Sequence, residues 1–304
     1  VSVRFADGPV WDGYFADPDV IALAEGAYAA YGTGTDGVAV DGSAFEALWS
    51  ADLHHWESSG RVLRALPEEC GDQYWAPEVT RFDDGFLLFF SVGHGIDGHH
   101  LRVARGAEPF GPFEDLGVNL TPDERFAIDA HPFQGPDGSW YLFFARDVLD
   151  HERPGTHLAV APLLGATRLG PIRTVLAPHA DWQLYQRQRP MYGARYDWHT
   201  LEGPFVVFRH GRYWLTYSGG AWTGPGYAVS WAVADHPLGP WRPAPAGERV
   251  LASDQSLIGP GHNSIVGTPD GDAIAFHAWD PTRTKRQLHL RPIEVGPERV
   301  RLLD

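Results

Sequence analysis

The chain of 304 residues has one cysteine, Cys70, so no disulfide can form within it. That scarcity favours a reducing, cytoplasmic setting, with secretion after removal of a leader as the alternative. No run of about 18 apolar residues occurs, which excludes a membrane-crossing helix. The chain opens on Val1 without a charged segment leading into an apolar one. Clusters of Lys and Arg are absent, and the formal net charge is −15. Nucleic acid and anionic membrane are therefore excluded as partners, and a neutral substrate suits the balance. The 15 histidines include no HExxH. The adjacent pairs His54-His55 and His99-His100 would diverge on a strand and read as surface residues.

What is abundant is turn chemistry and aromatic bulk. Gly and Pro number 35 and 25, and there are 12 Trp, 11 Tyr and 16 Phe. Such a chain makes many short strands joined by turns. Five similar hairpins follow one another, with turn glycines at Gly26, Gly85, Gly138, Gly211 and Gly271. Around Gly211, alternation of Tyr213, Leu215 and Tyr217 against Trp214, Thr216 and Ser218 describes the two faces of a strand. A unit of roughly 60 residues, repeated five times, occupies residues 1–304 as a single domain. The expected fold is all-β: a five-bladed β-propeller with four-stranded blades around a central channel. A β-sandwich need not repeat hairpins at a fixed interval, and a solenoid would have a shorter repeat.

Nine residues before each turn glycine stand Asp17, Ala76, Asp129, Glu202 and His262. Four of the five are ionisable, and Glu78 lies two residues past Ala76. Equivalent positions on the innermost strands of a propeller converge on its axis. Any one of these residues could be ordinary turn chemistry, as in Asp17-Pro18 or Glu202-Gly203-Pro204. Four in register are harder to explain that way, because facing buried carboxylates cost free energy. Carboxylates around one pocket suit glycoside hydrolysis, in which a general acid protonates the leaving oxygen and a second carboxylate activates water or attacks the sugar. Mutual repulsion would keep Glu202 protonated near neutral pH while Asp17 stays ionised.

At these residues the chain resembles glycoside hydrolase family 43. The motifs are Ala16-Asp17-Pro18-Asp19-Val20, Trp75-Ala76-Pro77-Glu78-Val79, Ile128-Asp129-Ala130-His131-Pro132-Phe133, Glu202-Gly203-Pro204 and Gly259-Pro260-Gly261-His262-Asn263-Ser264. The resemblance implies a five-bladed propeller of inverting enzymes that cleave arabinose- and xylose-containing polysaccharides. It makes Asp17 the general base, Glu202 the general acid and Asp129 the group that tunes and orients the acid. No cofactor is implied for the chemistry, but a calcium or other cation, held largely through water, is implied in the central channel near His262. Arg286 matches an arginine that contacts sugar hydroxyls. Trp75 is read either as an apolar wall for a sugar ring or as core. The segment from His179 to Thr200, which carries Tyr185 and Trp198, is read as a substrate-binding loop, rim or lid. The expected activity is an exo-acting α-L-arabinofuranosidase on plant cell-wall oligosaccharides from arabinan or arabinoxylan. β-Xylosidase or endo-arabinanase activity is the near alternative, and a non-catalytic carbohydrate-binding propeller is the rival from another class. A fructan-active enzyme ranks below these, since no Arg-Asp-Pro element occurs. Oligomeric state is left open.

Overall fold

A computed structural model of the chain describes residue 5, residues 7–95 and residues 97–303. Among these the regular structure is β-strand, interrupted by short 3-10 turns. The strands form five successive antiparallel meanders. The first comprises β1 (Ala16–Ala22), β2 (Tyr28–Thr33), β3 (Ser43–Ser50) and β4 (Glu57–Arg64). The second comprises β5 (Gln73–Phe82), β6 (Gly85–His94), β7 (Asp97–Gly106) and β8 (Glu114–Asn119). β9 (Ala127–Gln134), β10 (Trp140–Val148), β11 (Gly155–Pro162) and β12 (Arg173–Leu176) make the third. In the fourth, β13 (Leu184–Met191) forms a hairpin with the first half of the long β14 (Ala194–Arg209), and β15 (Arg212–Gly219), β16 (Ala228–Ala234) and β17 (Arg242–Pro243) follow. A two-residue parallel pairing between β11 and β14 joins the third and fourth meanders. The fifth is β18 (Ile258–Thr268), β19 (Gly271–Trp279), β20 (Arg286–Val295) and β21 (Val300–Leu302).

The meanders pack face to face because their second strands are apolar on both sides. In β2, Ala29 and Tyr31 face the second meander, whereas Tyr28 and Ala30 face the fifth. Phe86, Leu88 and Phe90 of β6 face the first meander, and Leu87 and Phe89 face the third. The same alternation in β10, β15 and β19 completes five separate cores, one at each junction between neighbouring meanders. The junction between the fifth and first closes the cycle. Side chains of period two leave no other way to bury a strand that is apolar on both faces. The first strands β1, β5, β9, β14 and β18 contact one another in that cyclic order, inside the ring.

Each first strand carries a bulge near its start, where its pairing with the next strand shifts. The bulged residue has a left-handed backbone: Asp17 (φ 51°), Ala76 (49°), Asp129 (61°), Gly203 (55°) and His262 (48°). Counting back from the turn glycines therefore finds the right residue in four units and misses by one in the fourth. Gly211 lies inside its turn, which Arg209 and Arg212 flank, whereas Gly85 and Gly271 each begin the next strand. Glu202 is thus the structural counterpart of Ala16, Trp75, Ile128 and Gly261, and Gly203 is the counterpart of the other acids.

Two further expectations are corrected. The segment from His179 to Thr200 is not a loop but the ordered hairpin of β13 and β14, preceded by a 3-10 turn at Asp181–Gln183. His99 is fully buried, stacked on the Trp75 ring at 3.5 Å between centroids. His54, His55 and His100 are partly or largely exposed.

Candidate active site

The bulges aim side chains into a cavity of about 690 Å3 at the heads of the first strands. Asp17, Asp129 and Glu202 all line it, as do His262, Arg286, Trp75, Tyr185 and Trp198. Residues up to 272 positions apart meet here, and Asp17, Asp129, Glu202 and His262 do so because each sits near the start of an equivalent first strand. A cavity of this size accommodates a small sugar.

A series of hydrogen bonds fixes the bulges. The backbone N–H of Asp17 donates to His277 Nδ1 (3.0 Å), that of Ala76 to Thr33 Oγ1 (2.9 Å), that of Asp129 to Ser91 Oγ (3.0 Å) and that of His262 to Ser218 Oγ (2.7 Å). Each acceptor lies near the end of the second strand of the preceding meander. The fourth bulge differs, since the Gly203 N–H donates to the Asp129 carboxylate at 2.8 Å. Asp129 therefore holds the backbone immediately after Glu202. Gly203 suits its position twice over, through its φ and because an added Cβ would lie 3.2 Å from the His262 ring.

The three acids have different electrostatic surroundings. Burial by itself would raise the Asp17 carboxyl, but Arg286, His262 and His277 outweigh it and hold the group well below the usual carboxylate range. Arg286 Nη1 lies 3.2 Å from Asp17 Oδ1, His277 Nδ1 at 3.3 Å and His262 Nδ1 at 3.4 Å. Glu202 is pushed up to about 7, chiefly by burial and further by the Asp17 charge. A hydrogen bond from the Tyr227 hydroxyl and the charges of Arg286 and Arg189 oppose that rise. Asp129 is raised well above the ordinary value by burial and by the charges of Glu202 and Asp17, against the pull of the Gly203 N–H. One carboxylate is thus kept ionised while a second keeps its proton to near neutrality.

The aromatic residues around Arg286, together with Tyr227 and His277, escaped the sequence reading. Arg286 is gripped by aromatics: its guanidinium lies over Trp222 (4.9 Å), Tyr14 (5.6 Å) and Trp279 (5.8 Å), and its Nε donates to the Tyr14 hydroxyl at 3.0 Å. Tyr227 lies against Gly261, where a Cβ would come within 1.9 Å of its ring. His277 carried a legible signal, since it stands six residues after Gly271, as Ser91 does after Gly85. Tyr14 and Trp222 lie outside the repeated strands and carried none. Trp198 lines the cavity yet is 1% exposed, with Arg189 over its ring at 5.4 Å and over Tyr185 at 4.7 Å.

The cation implied near His262 does not find a protein-built cage. Among the described residues no group of three or more His, Cys, Asp or Glu side chains is placed to hold a metal ion. His262 Nδ1 is turned toward the carboxylates of Asp17 and Asp129 (3.4 and 3.8 Å), and calcium prefers six to eight oxygen ligands.

The profile of Glycosyl hydrolases family 43 matches residues 6–298. The chain belongs to glycoside hydrolase family 43. As a member of that family it is a glycoside hydrolase. It is 30% identical over 292 residues to a β-D-galactofuranosidase of Aspergillus niger, an alignment covering 90% of this chain and 76% of the relative. It is 29% identical to an extracellular exo-α-(1→5)-L-arabinofuranosidase of Streptomyces chartreusis, over 71% of this chain and 66% of that one. Among solved structures, a thermostable family-43 glycoside hydrolase superimposes with a TM-score of 0.83 at 24% identity, covering 99% of this chain and 96% of the other. An endo-1,4-β-xylanase of Bacteroides thetaiotaomicron superimposes at 0.79 with 27% identity, covering 96% and 95%.

Proposed function

We propose that the chain is a single-domain, five-bladed β-propeller acting as an inverting, exo-acting glycosidase that releases terminal α-L-arabinofuranosyl residues from arabinan or arabinoxylan oligosaccharides. The observation that carries this reading is the pairing, in one cavity, of a carboxylate held ionised at Asp17 with a carboxyl pushed up to about 7 at Glu202. The five meanders and their cyclic cores support the propeller.

In this mechanism Asp17 takes a proton from a water molecule, whose oxygen attacks the anomeric carbon. The glycosidic C–O bond breaks, and Glu202 delivers its proton to the departing oxygen. Asp129 sets the position of Glu202 through Gly203, and the Glu202 charge in turn helps to raise Asp129. Arg286 steadies the charge on Asp17 and, with Trp75 and Tyr185, lines the space that a pentose would occupy. These steps use side chains alone. The β13–β14 hairpin contributes Tyr185, Arg189 and Trp198 to the wall, which supports cleavage at chain ends.

A second reading is favoured by the A. niger relative. β-D-Galactofuranose carries the ring configuration of α-L-arabinofuranose and differs in the group attached to C4, so one pocket could bind either. Steady-state kinetics on aryl α-L-arabinofuranoside, β-D-galactofuranoside and β-D-xyloside test the assignment. The arabinofuranoside is expected to show the highest kcat/KM, and a larger value for either competitor overturns it. Glu202→Gln is expected to lower kcat by about 10²–10⁴ on natural oligosaccharides, the usual contribution of a general acid. Unchanged turnover would remove Glu202 from the role of general acid, and a wild-type protein that binds but never cleaves these oligosaccharides would point to the non-catalytic propeller. NMR of the first-formed anomer distinguishes inversion from retention.

A further inference from the structure

One level deeper along the axis lies a buried pair that the hydrolytic steps do not use. Asp19, Glu78 and His131 stand two residues beyond Asp17, Ala76 and Asp129, and are 3%, 8% and 4% exposed. At this level three of the five first strands reach forward to a backbone N–H of the next. The Val79 N–H donates to Asp19 Oδ2 (2.8 Å), the Val206 N–H to His131 Nε2 (3.0 Å) and the Val20 N–H to Ser264 Oγ (3.0 Å). Glu78 meets Pro132 at the matching place, and proline has no N–H to offer. Its carboxylate lies instead 2.6 Å from His131 Nδ1.

This arrangement determines the state of the imidazole. Nε2 receives a backbone N–H and must present its lone pair, so the ring proton resides on Nδ1 and is donated to Glu78. His131 packs against Phe205 at 4.3 Å between centroids, and burial lowers it to about 4, consistent with a neutral ring. β9 thus grips β14 on both sides of its bulge: Asp129 holds Gly203 and His131 holds Val206. Glu202 is the residue at which that bulge begins.

We propose that Glu78 and His131 are positioning residues for Glu202, with Glu78 orienting His131 so that it anchors Val206 and, with Asp129, fixes where the acid enters the cavity. The inference rests on the hydrolase reading of Glu202. A misplacement of about 1 Å at a reacting group can cost on the order of a hundredfold in rate.

The test compares Glu78→Gln, whose amide oxygen accepts the same Nδ1–H, with Glu78→Met, which fills the space and accepts nothing. Kinetics are measured on an aryl α-L-arabinofuranoside, and Val206 amide exchange is measured without substrate. Glu78→Met is expected to lower kcat about tenfold or more with KM within about twofold, and to accelerate exchange at Val206; Glu78→Gln should stay within about threefold of wild type. Should Glu78→Met fail to fold, His131→Phe removes the same anchor within an aromatic surround. A folded Glu78→Met enzyme with wild-type kcat overturns the proposal, as does equal impairment of the Gln and Met variants or unchanged Val206 exchange. A wild-type protein inactive on every aryl furanoside and xyloside would instead fail the hydrolase reading, and the exchange data alone would then decide whether the anchor exists.

Discussion

At the scale of the residue, the site depends on how differently one cavity treats chemically similar carboxyl groups. Asp17 is surrounded by a guanidinium and two imidazoles, whereas Glu202 has burial and a neighbouring negative charge working against its ionisation. The proposed mechanism requires Asp17 ionised and Glu202 protonated. The rate should therefore fall as pH rises through about 7, and on the acid side only well below the ordinary carboxylate range. Arg286 lowers both groups, so Arg286→Met should move both limbs of the kcat profile toward alkaline pH. An acid limb that stays in place would show that the Arg286 charge is not what keeps Asp17 ionised. The acids themselves were legible as residue types at a recurring place in the sequence. Their inequality was expected from mutual repulsion, but its main causes were not legible: burial raises Glu202, and Arg286, which reaches Asp17 only when the ring closes, holds Asp17 down.

At the scale of the element, the bulge and the hairpin matter most. A bulge converts a strand that would bury alternate side chains in the cores into one that turns a chosen residue toward the axis. The sequence shows it indirectly, as Asp-Pro, Ala-Pro and Gly-Pro near the strand starts. The one-residue offset at Glu202 was hidden because turn length, and not the glycine itself, sets the register. The β13–β14 hairpin was visible only as an aromatic excess in a long interval. Arg189 makes it part of the site, lying over Tyr185 and Trp198 while its charge reaches Glu202. Removing that charge in Arg189→Ala should raise Glu202 further, moving the alkaline limb upward. KM should also rise as the wall loosens, and the two effects can be separated by fitting kcat and kcat/KM against pH.

At the scale of the whole molecule, closure of the ring is the central question, because each meander is built from one continuous stretch and, among the described residues, no strand is exchanged between the two ends. The first and last meanders are joined by a shared apolar core and by specific links. The N–H groups of Val10 and Phe15 donate to the carbonyls of Leu288 and Arg286, and Gln287 donates to the Asp12 carboxylate. The segment before β1 thus runs beside β20 and carries Tyr14 to Arg286. A chain begun at Tyr14 should melt several degrees lower than the full chain by calorimetry, since about 1 kcal/mol lost from a domain of this size is worth roughly 2–4 °C. An unchanged Tm would place the strength of closure wholly in the apolar core.

By itself the sequence determined the repeat, the strand periodicity and the kinds of side chain at the head of each unit, since these are local and recur within about 60 residues. Tertiary structure alone decided which unit is out of register, which histidine is buried behind Trp75, and which cations meet which acid. Those outcomes depend on distances between residues hundreds of positions apart, and Coulombic and desolvation effects respond to such distances rather than to order along the chain.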